Sequence, residues 1–542
     1  MNHDHRATLS RAIAAALLLA LLAAALFGLG ASGLLLVLGL LRDDYTAAAD
    51  TRGLAARTGS FAIAGAACVA LLWRWRAWPE AAPQEPQPWT SRDAALLAFV
   101  LALGALASLP NLNDYPFAAP DETHHLIVAR NLAQYGAYAS GHPDTGLNYF
   151  DDYDSVGPTL IVPAAAAFKL FGVSLAAARA VVSLYFLGLL AVVFLWVRRH
   201  AGTNVAGFAA VGVLLAYSSF YLSRTFYGEV PALFFLVAGL MLWERARGVP
   251  AHAAAGLLLG CCVLTKPIFI IVACCGAAAL FFALVRGDTL RWRGLAALVA
   301  GIVFPVVLWS WVQSMGQTEQ RSMLGIYQHY LLFGIAPIGR NLLWLLLDAP
   351  LGNAVYAALA LLGGGLLVAR RASPAALTLW LLAPFFAQWW LAYTPGQLPR
   401  YLWPCYVVSG IAWGVAMARF LSTPGNRALR FAALTLLVLP PALWLRVQLP
   451  ELATNREMRA TQELAAWLEA NAPQESLATD DYTLRGALVF LTGRPIGGNA
   501  DLHTLLAGHD LVAVRRATLA ADPGGEVRQV IGEFAVLSRS AP

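Results

Sequence analysis

Apolar residues in this chain fall in long unbroken stretches rather than in alternating or helical-stripe patterns. The runs lie at roughly 11–40, 59–73, 93–110, 174–197, 203–222, 229–243, 252–265, 267–285, 294–312, 350–368, 374–392, 401–420 and 428–446. About 20 apolar residues in a helix cross a bilayer. The pattern therefore predicts an all-α polytopic membrane protein with about thirteen spans, the first run counting as one. The polar connections set the sides. With Arg6 and Arg11 placed inside, every second connection is arginine-rich: Arg74 and Arg76; Arg198 and Arg199; Arg245 and Arg247; Arg286, Arg291 and Arg293; Arg370 and Arg371; Arg427 and Arg430. This is the bias of cytoplasmic loops. The long segments 42–58, 111–173, 313–349 and 447–542 then share the outer face, and the chemistry is expected there.

Between the runs, the pattern changes period. Residues 122–138 carry Leu126, Ala129, Leu132 and Ala133 at helical spacing, so they predict an amphipathic helix on the membrane surface. Residues 158–171 predict a second, more buried one. The Pro-rich stretch 78–91 reads as a linker on the inner side. In the tail, the spacing predicts a helix over 456–471, a short strand at 476–480, a helix at 482–492 and apolar runs near 510–515 and 529–538, a small α/β layer. Three regions follow: two extra N-terminal spans with the linker (1–92), a membrane core (93–446) and an extracytoplasmic α/β domain (447–542).

Composition supports this division. Of 542 residues, 59% are hydrophobic and 13% charged, whereas soluble domains carry about 25% charge. A chain of soluble domains, a disordered chain and a secreted disulfide scaffold are all excluded. The net charge of +6 does not point to nucleic acid, because it is almost all arginine in short loops; lysine occurs only at positions 169 and 266. The first apolar run exceeds a signal-peptide core and further spans follow, so it reads as an uncleaved span. Cys68, Cys261, Cys262, Cys274, Cys275 and Cys405 lack CxxC spacing and read as small packing residues rather than a metal site.

The candidate chemistry is a set of charges at the outer ends of spans. Pro120-Asp121-Glu122 opens the surface helix. Acidic residues in a first turn complement the helix dipole, and a carboxylate at a membrane boundary also suits a general base. Glu229, followed by Pro231, opens a later span, where capping competes with function. Lys266 interrupts the apolar stretch 253–285, either as a snorkelling side chain or as a cation that holds phosphate. Arg400 lies at another outer end. Arg224, Arg321 and Arg340 also fall on the outer side, which the positive-inside rule disfavours; bidentate phosphate binding explains them, and pairing with a carboxylate such as Asp348 is the alternative. His124 and His125 follow the acidic pair, but adjacent helix positions point apart, which argues against one shared ion.

The segments APDETHHLIVARNLAQYGAY, FGVSLAAARAV, YGEVPALFFLVAGL, GCCVLTKPIFIIV and LPRYLWP, in this order over 93–446, resemble the polyprenyl-phosphate-sugar-dependent glycosyltransferases of the GT-C fold. The similarity is to the protein O-mannosyltransferase and aminoarabinose transferase group. ATDDYTLRGALVFLTGRPIG in the tail looks like the soluble outer domain of bacterial members. The resemblance implies Asp121 as general base, Glu122 as its acidic partner and Glu229 as a group that orients the acceptor or base. It implies Lys266 and Arg400 at the lipid phosphate, a polyprenyl-phosphate sugar as donor, inversion at the anomeric carbon, and no cofactor or catalytic metal. The protein would sit in a bacterial inner membrane with its site on the outer face. The acceptor would be an envelope lipid, glycan or protein. Where aminoarabinose transferases carry a lysine before a Pro pair, this chain reads Tyr153-Asp154-Ser155-Val156-Gly157-Pro158. That departure argues against an aminoarabinose donor and a lipid A acceptor. Tyr153 and Asp154, in the acidic cluster Asp151-Asp152-Tyr153-Asp154, are candidates for binding a polar acceptor, with an ion as the alternative. The competing readings are a lipid-linked-sugar flippase, which would need midplane charges and repeated halves, and an assembly subunit, in which Asp121 and Glu229 would be replaceable.

Overall fold

The computed structural model describes residues 88–150, 155–216, 218–285, 291–315, 341, 373–392, 399–422, 435, 438, 442, 455–498, 500–519 and 525–539 and is mostly helical. The expected spans 11–40, 59–73 and 350–368, nearly all of 428–446, and residues Tyr153, Asp154, Arg321, Arg340 and Asp348 lie outside the described residues.

The first helix, α1 (Ser91–Ser108), starts at a capping box: Thr90 accepts from the Asp93 amide, and Asp93 accepts from the Thr90 amide. These are two of the orphan donors that a helix start leaves. Helix α2 (Pro120–Tyr135) begins with proline in its first turn beside Asp121 and Glu122 and stops at Gly136, φ 72°, the left-handed stop that glycine adopts without cost. A hairpin of β1 (Ala139–His142) and β2 (Gly146–Tyr149) follows, which hydrophobic periodicity did not reveal. Asn131 of α2 holds it by donating to the Ala139 and Gly141 carbonyls.

The chain then runs through α3 (Pro158–Phe171), α4 (Leu175–Ala201), α5 (Thr203–Leu214), the single turn α6 (Ser219–Leu222) and α7 (Glu229–Arg245). Next come α8 (Val249–Thr265), a 3-10 turn Pro267–Ile270, α9 (Ile271–Val285) and α10 (Trp292–Ser314). The last helices of this layer are α11 (Pro374–Ala392) and α12 (Trp403–Ser422), the latter preceded by a 3-10 turn Pro399–Leu402. Among the described residues, Ser91–Ser108, Leu175–Ala201, Trp292–Ser314 and Arg400–Ala418 are long and apolar enough to cross a membrane. That is fewer than the thirteen crossings read from the apolar runs. Some of those runs lie outside the described residues, and others form shorter helices. The run 203–222 in particular is broken: α5 has only 12 residues, about 18 Å of helix. Ser218 takes φ 62°, outside helical geometry, and Ser219 Oγ donates to the Val213 carbonyl, a local side-chain bond that competes with helix continuation.

Glycines set the helix contacts. A Cβ on Gly212 of α5 would meet the Gly410 carbonyl of α12 at 2.1 Å, one on Gly414 would meet Ala209 Cα at 2.2 Å, and one on Gly256 of α8 would meet the Leu298 carbonyl of α10 at 2.2 Å. Small residues allow this close approach where lipid supplies no hydrophobic drive between helices. Gly212→Ala is expected to destabilise the protein by about 1–3 kcal/mol, read as a lower thermal unfolding temperature in detergent. Gly276→Ala, whose Cβ meets nothing within 4 Å among the described residues, is the control. Equal melting of the two variants would refute the contact.

The tail continues as α13 (Arg456–Asn471), β3 (Leu477–Thr479), α14 (Tyr482–Thr492), β4 (Ile496–Gly497), α15 (Leu502–Gly508), β5 (Leu511–Arg515), β6 (Gly525–Ile531) and β7 (Phe534–Arg539). The sheet order is β4-β3-β5-β7-β6. The first three strands are parallel and the β5–β7–β6 pairs antiparallel. The apolar run at 529–538 is thus two strands, turned at Gly532 with φ 56°. Leu464, Leu468, Leu488, Leu511, Phe534 and Val536 form the core between sheet and helices.

Candidate active site

Four elements bring charge to one end of the helix layer: the first turn of α2, the start of α7, the break after α8 and the 3-10 turn before α12. Glycine makes the approach possible. Gly157 donates its amide to the Thr265 carbonyl at 2.9 Å, and a Cβ there would sit 1.8 Å from the Leu264 carbonyl. Gly228, φ 87°, caps α7 and lies against Val156 and the Thr265 carbonyl. The segment before α3 therefore lies flat against the end of α8. Lys266 leaves α8 in extended conformation (φ −151°), as a residue before proline prefers. Its side chain is 1% exposed, so it does not snorkel to water.

Lys266 Nζ donates to Glu229 Oε1 at 2.5 Å and to the Tyr227 carbonyl at 2.8 Å. Arg400 Nη2 donates to Asp121 Oδ2 at 2.5 Å, and Arg400 Nε lies 3.9 Å from the same Glu229 oxygen. The Arg400 guanidinium sits over the rings of Tyr227 at 4.5 Å and Tyr401 at 5.1 Å, each a favourable cation–π geometry. Two carboxylates and two cations thus form one alternating network. Its two ends differ in access: the Glu229 side chain is 2% exposed and that of Asp121 is 55% exposed. Two of its buried atoms, Glu229 Oε2 and Arg400 Nε, have no hydrogen-bond partner among the described residues. Buried polar atoms of this kind usually find partners.

Electrostatics keeps Asp121 ionised. Burial pushes its carboxyl up, but the charge and hydrogen bond of Arg400, aided by Lys266, outweigh this and leave it below its ordinary value. His125 behaves oppositely: burial, then the neighbouring His124, lowers it to about 3. The ring is neutral at neutral pH. Its Nδ1 faces the Phe226 carbonyl at 3.2 Å, so Nδ1 carries the proton, because a carbonyl only accepts. Nε2 is then left to accept from Ser155 Oγ, 3.4 Å away.

Two of the residues picked out by the sequence have other duties in the fold. Glu122 does not stand free beside Asp121. Its side chain is fully buried, accepts a bidentate pair from Arg179 at 2.9 Å and 2.9 Å, and accepts the Phe226 amide at 3.1 Å. Adjacent helix positions diverge by about 100°, so one carboxylate turns into the core while the other faces the opening. Arg224 is buried and donates to the Ala107 and Pro110 carbonyls. It satisfies carbonyls at and just after the end of α1, so in this structure its guanidinium is taken up by the backbone rather than turned to a phosphate. Arg340, Tyr153 and Asp154 lie outside the described residues. Sequence patterns gave no role to Arg179. It is the one charged residue in the apolar run 174–197, and that rarity is itself a signal. The tyrosines flanking Arg400 gave no signal, because aromatic residues abound throughout the chain.

No protein-family model and no curated protein sequence matches the chain. Among solved structures, the chain is similar to ArnT from Cupriavidus metallidurans bound to undecaprenyl phosphate. The TM-score is 0.60 at 17% identity, covering 83% of this chain and 98% of ArnT. The apo form of the same ArnT matches with a TM-score of 0.55 at 16% identity over the same shares of both chains. At this identity the likeness is one of fold: the chain shares the fold of that ArnT over most of both chains.

Proposed function

We propose that this protein is an inverting membrane glycosyltransferase that moves a sugar from a polyprenyl-phosphate donor to an envelope lipid, glycan or protein. The carrying observation is the Asp121–Arg400–Glu229–Lys266 network, in which a half-exposed carboxylate stands beside cations buried at the floor. The fold shared with ArnT, whose structure holds undecaprenyl phosphate, supports the donor class. Placement in a bacterial inner membrane, with the site on the outer face, follows from the arginine pattern of the connections.

In this reading the acceptor nucleophile attacks the anomeric carbon from the face opposite the phosphate. The bond to the phosphate oxygen breaks, and its electron pair leaves with polyprenyl phosphate. Asp121 takes the acceptor's proton. Lys266 and Arg400, held by tyrosine rings and Glu229, stabilise the negative charge that grows on the leaving oxygen. Glu229 fixes both cations through Oε1 and keeps Oε2 for a donor on the sugar or acceptor. Tyr153, Asp154 and Arg340 keep their proposed acceptor and phosphate roles. The division of the chain at 92 and 446 belongs to the same proposal.

Single-turnover mixing of detergent-purified protein with polyprenyl-phosphate sugars tests it. One equivalent of free polyprenyl phosphate is expected with the right donor, found by chromatography of the lipid. No release with any donor, together with movement of the intact lipid-linked sugar across vesicles, would replace the transferase by a flippase.

A further inference from the structure

The tail is in direct contact with the helix that carries Asp121. Arg130, on α2, donates from Nη1 to the Val489 and Phe490 carbonyls of α14 at 3.1 and 2.9 Å. These belong to the last turn of α14, where positive charge is favoured; the Val489 carbonyl also accepts the Gly493 amide at 3.0 Å. Gln134 orients the guanidinium by accepting from Nε at 3.0 Å. Gly493, which ends α14 at φ 67°, is required twice over: a Cβ there would fall 1.5 Å from Arg130 Nη2. His142 Nε2 lies 2.8 Å from the Gly493 carbonyl. Earlier in α14, Gly486 lies against Thr123, whose Oγ1 a Cβ would meet at 2.3 Å. Phe490 packs near Phe168 of α3, with ring centroids 6.0 Å apart. A second anchor joins α13 to the segment leading into α2: Gln462 donates to the Asn113 carbonyl at 2.8 Å, and Arg459 pairs with Asp114 at 3.4 Å.

Helix geometry gives these contacts a common direction. Thr123 and Arg130 are seven residues apart and share one face of α2, while Asp121 projects about 160° away from that face at 100° per residue. Glu122, between them, is gripped by Arg179. The α2 helix is therefore held against rolling from two sides. A roll of about 10° would move a carboxylate about 5–6 Å from the axis by about 1 Å, enough to loosen its bond to Arg400. We propose that Arg130 is a positioning residue: by clamping the end of α14 onto α2, it sets the roll of α2 and so the Asp121–Arg400 geometry. The tail is then part of the site's frame rather than a cover. This inference rests on the proposed role of Asp121.

The test uses the full-length protein in detergent with the donor that supports release, and compares wild type, Arg130→Gln, Arg130→Lys and Gly493→Val. Arg130→Gln and Gly493→Val are expected to lower kcat by about 10- to 100-fold with donor KM unchanged. They should also move the acid limb of kcat/KM to higher pH, because the Arg400 contact that keeps Asp121 ionised is weakened. Arg130→Lys should restore part of both, and Arg130→Gln should add no further pH shift to Arg400→Gln. Hydrogen exchange gives a readout free of activity: amides of α2 and α14 should exchange faster in Arg130→Gln, while those of α8 and α10 stay as in wild type. Faster exchange with kcat and the acid limb unchanged would overturn the positioning role. Unchanged exchange would overturn the clamp. Faster exchange in a protein that releases no polyprenyl phosphate even as wild type would sustain the clamp and sink the transferase reading instead.

Discussion

Asp121→Asn is expected to cut single-turnover release of polyprenyl phosphate by about 10²–10⁴-fold, the usual worth of a positioned general base, while donor binding and the melting temperature change little. The asymmetry in access explains why this residue carries the largest effect. Of the three candidate carboxylates, Glu122 is bound on both oxygens and Glu229 lies on the floor beneath Lys266. Only Asp121 is half exposed and within reach of an incoming acceptor. Its pH behaviour supplies a second check. A base must be ionised, so kcat/KM should fall as pH drops through the folded-state value, which lies below the ordinary 3.8. Arg400→Gln removes the charge and the hydrogen bond that do most to hold it down and leaves burial, which acts upward, opposed by the weaker pull of Lys266. The acid limb should then move to higher pH. The same depression is linked to stability: the pair's contribution is fully present above the unfolded value and is lost as pH falls through the folded one. An acid limb that stays in place in Arg400→Gln would deny Asp121 the role of base.

The second large effect is structural. Arg179→Met leaves Glu122 buried with no cation beside it and is expected to cost about 3–5 kcal/mol, measured by thermal unfolding in detergent. Removing both partners together, as Glu122→Leu with Arg179→Met, should cost less than Arg179→Met alone. The buried charge is then gone, and only the Phe226 amide and the Leu112 carbonyl, which Arg179 also serves at 2.8 Å, lose partners at about 1–3 kcal/mol each. If the double variant melts below the single one, Glu122 and Arg179 do not act as a buried ion pair. The cycle also separates Glu122 from catalysis. A double variant that folds and still releases polyprenyl phosphate at a reduced rate is the expected behaviour of a group that sets the angle of α2 and touches no substrate.

Much of the molecule is legible without coordinates. Runs of apolar residues give α1, α4, α10 and α11 to within four residues at each end, since a lipid-facing helix needs little beyond length and hydropathy. Proline and the acidic first turn mark the start of α2, but the expected helix over 122–138 runs past Gly136, where α2 ends. The four charges of the site could be picked out because ionisable groups are rare in such a chain and costly to place. The helices of the tail at 456–471 and 482–492 showed their amphipathic spacing.

The rest depended on distances that no local pattern encodes. A run of 20 apolar residues at 203–222 looks continuous, but Ser218 and Ser219 divert its backbone, and the alternative is invisible to hydropathy. Asp121 and Glu122 are alike in sequence; what separates them is a rotation of about 100° on a helix and the presence of Arg179 fifty-seven positions away. Arg224 has the sequence context of a phosphate ligand, and only the end of α1 beside it shows otherwise. The sequence by itself determined the helical membrane architecture and the inventory of charges, because both follow from the cost of putting each residue in lipid. Which charges are consumed in holding helices together, and which meet at an open carboxylate, was decided by tertiary packing alone, because an ion pair is fixed by the positions of both partners and each sequence segment carries only one.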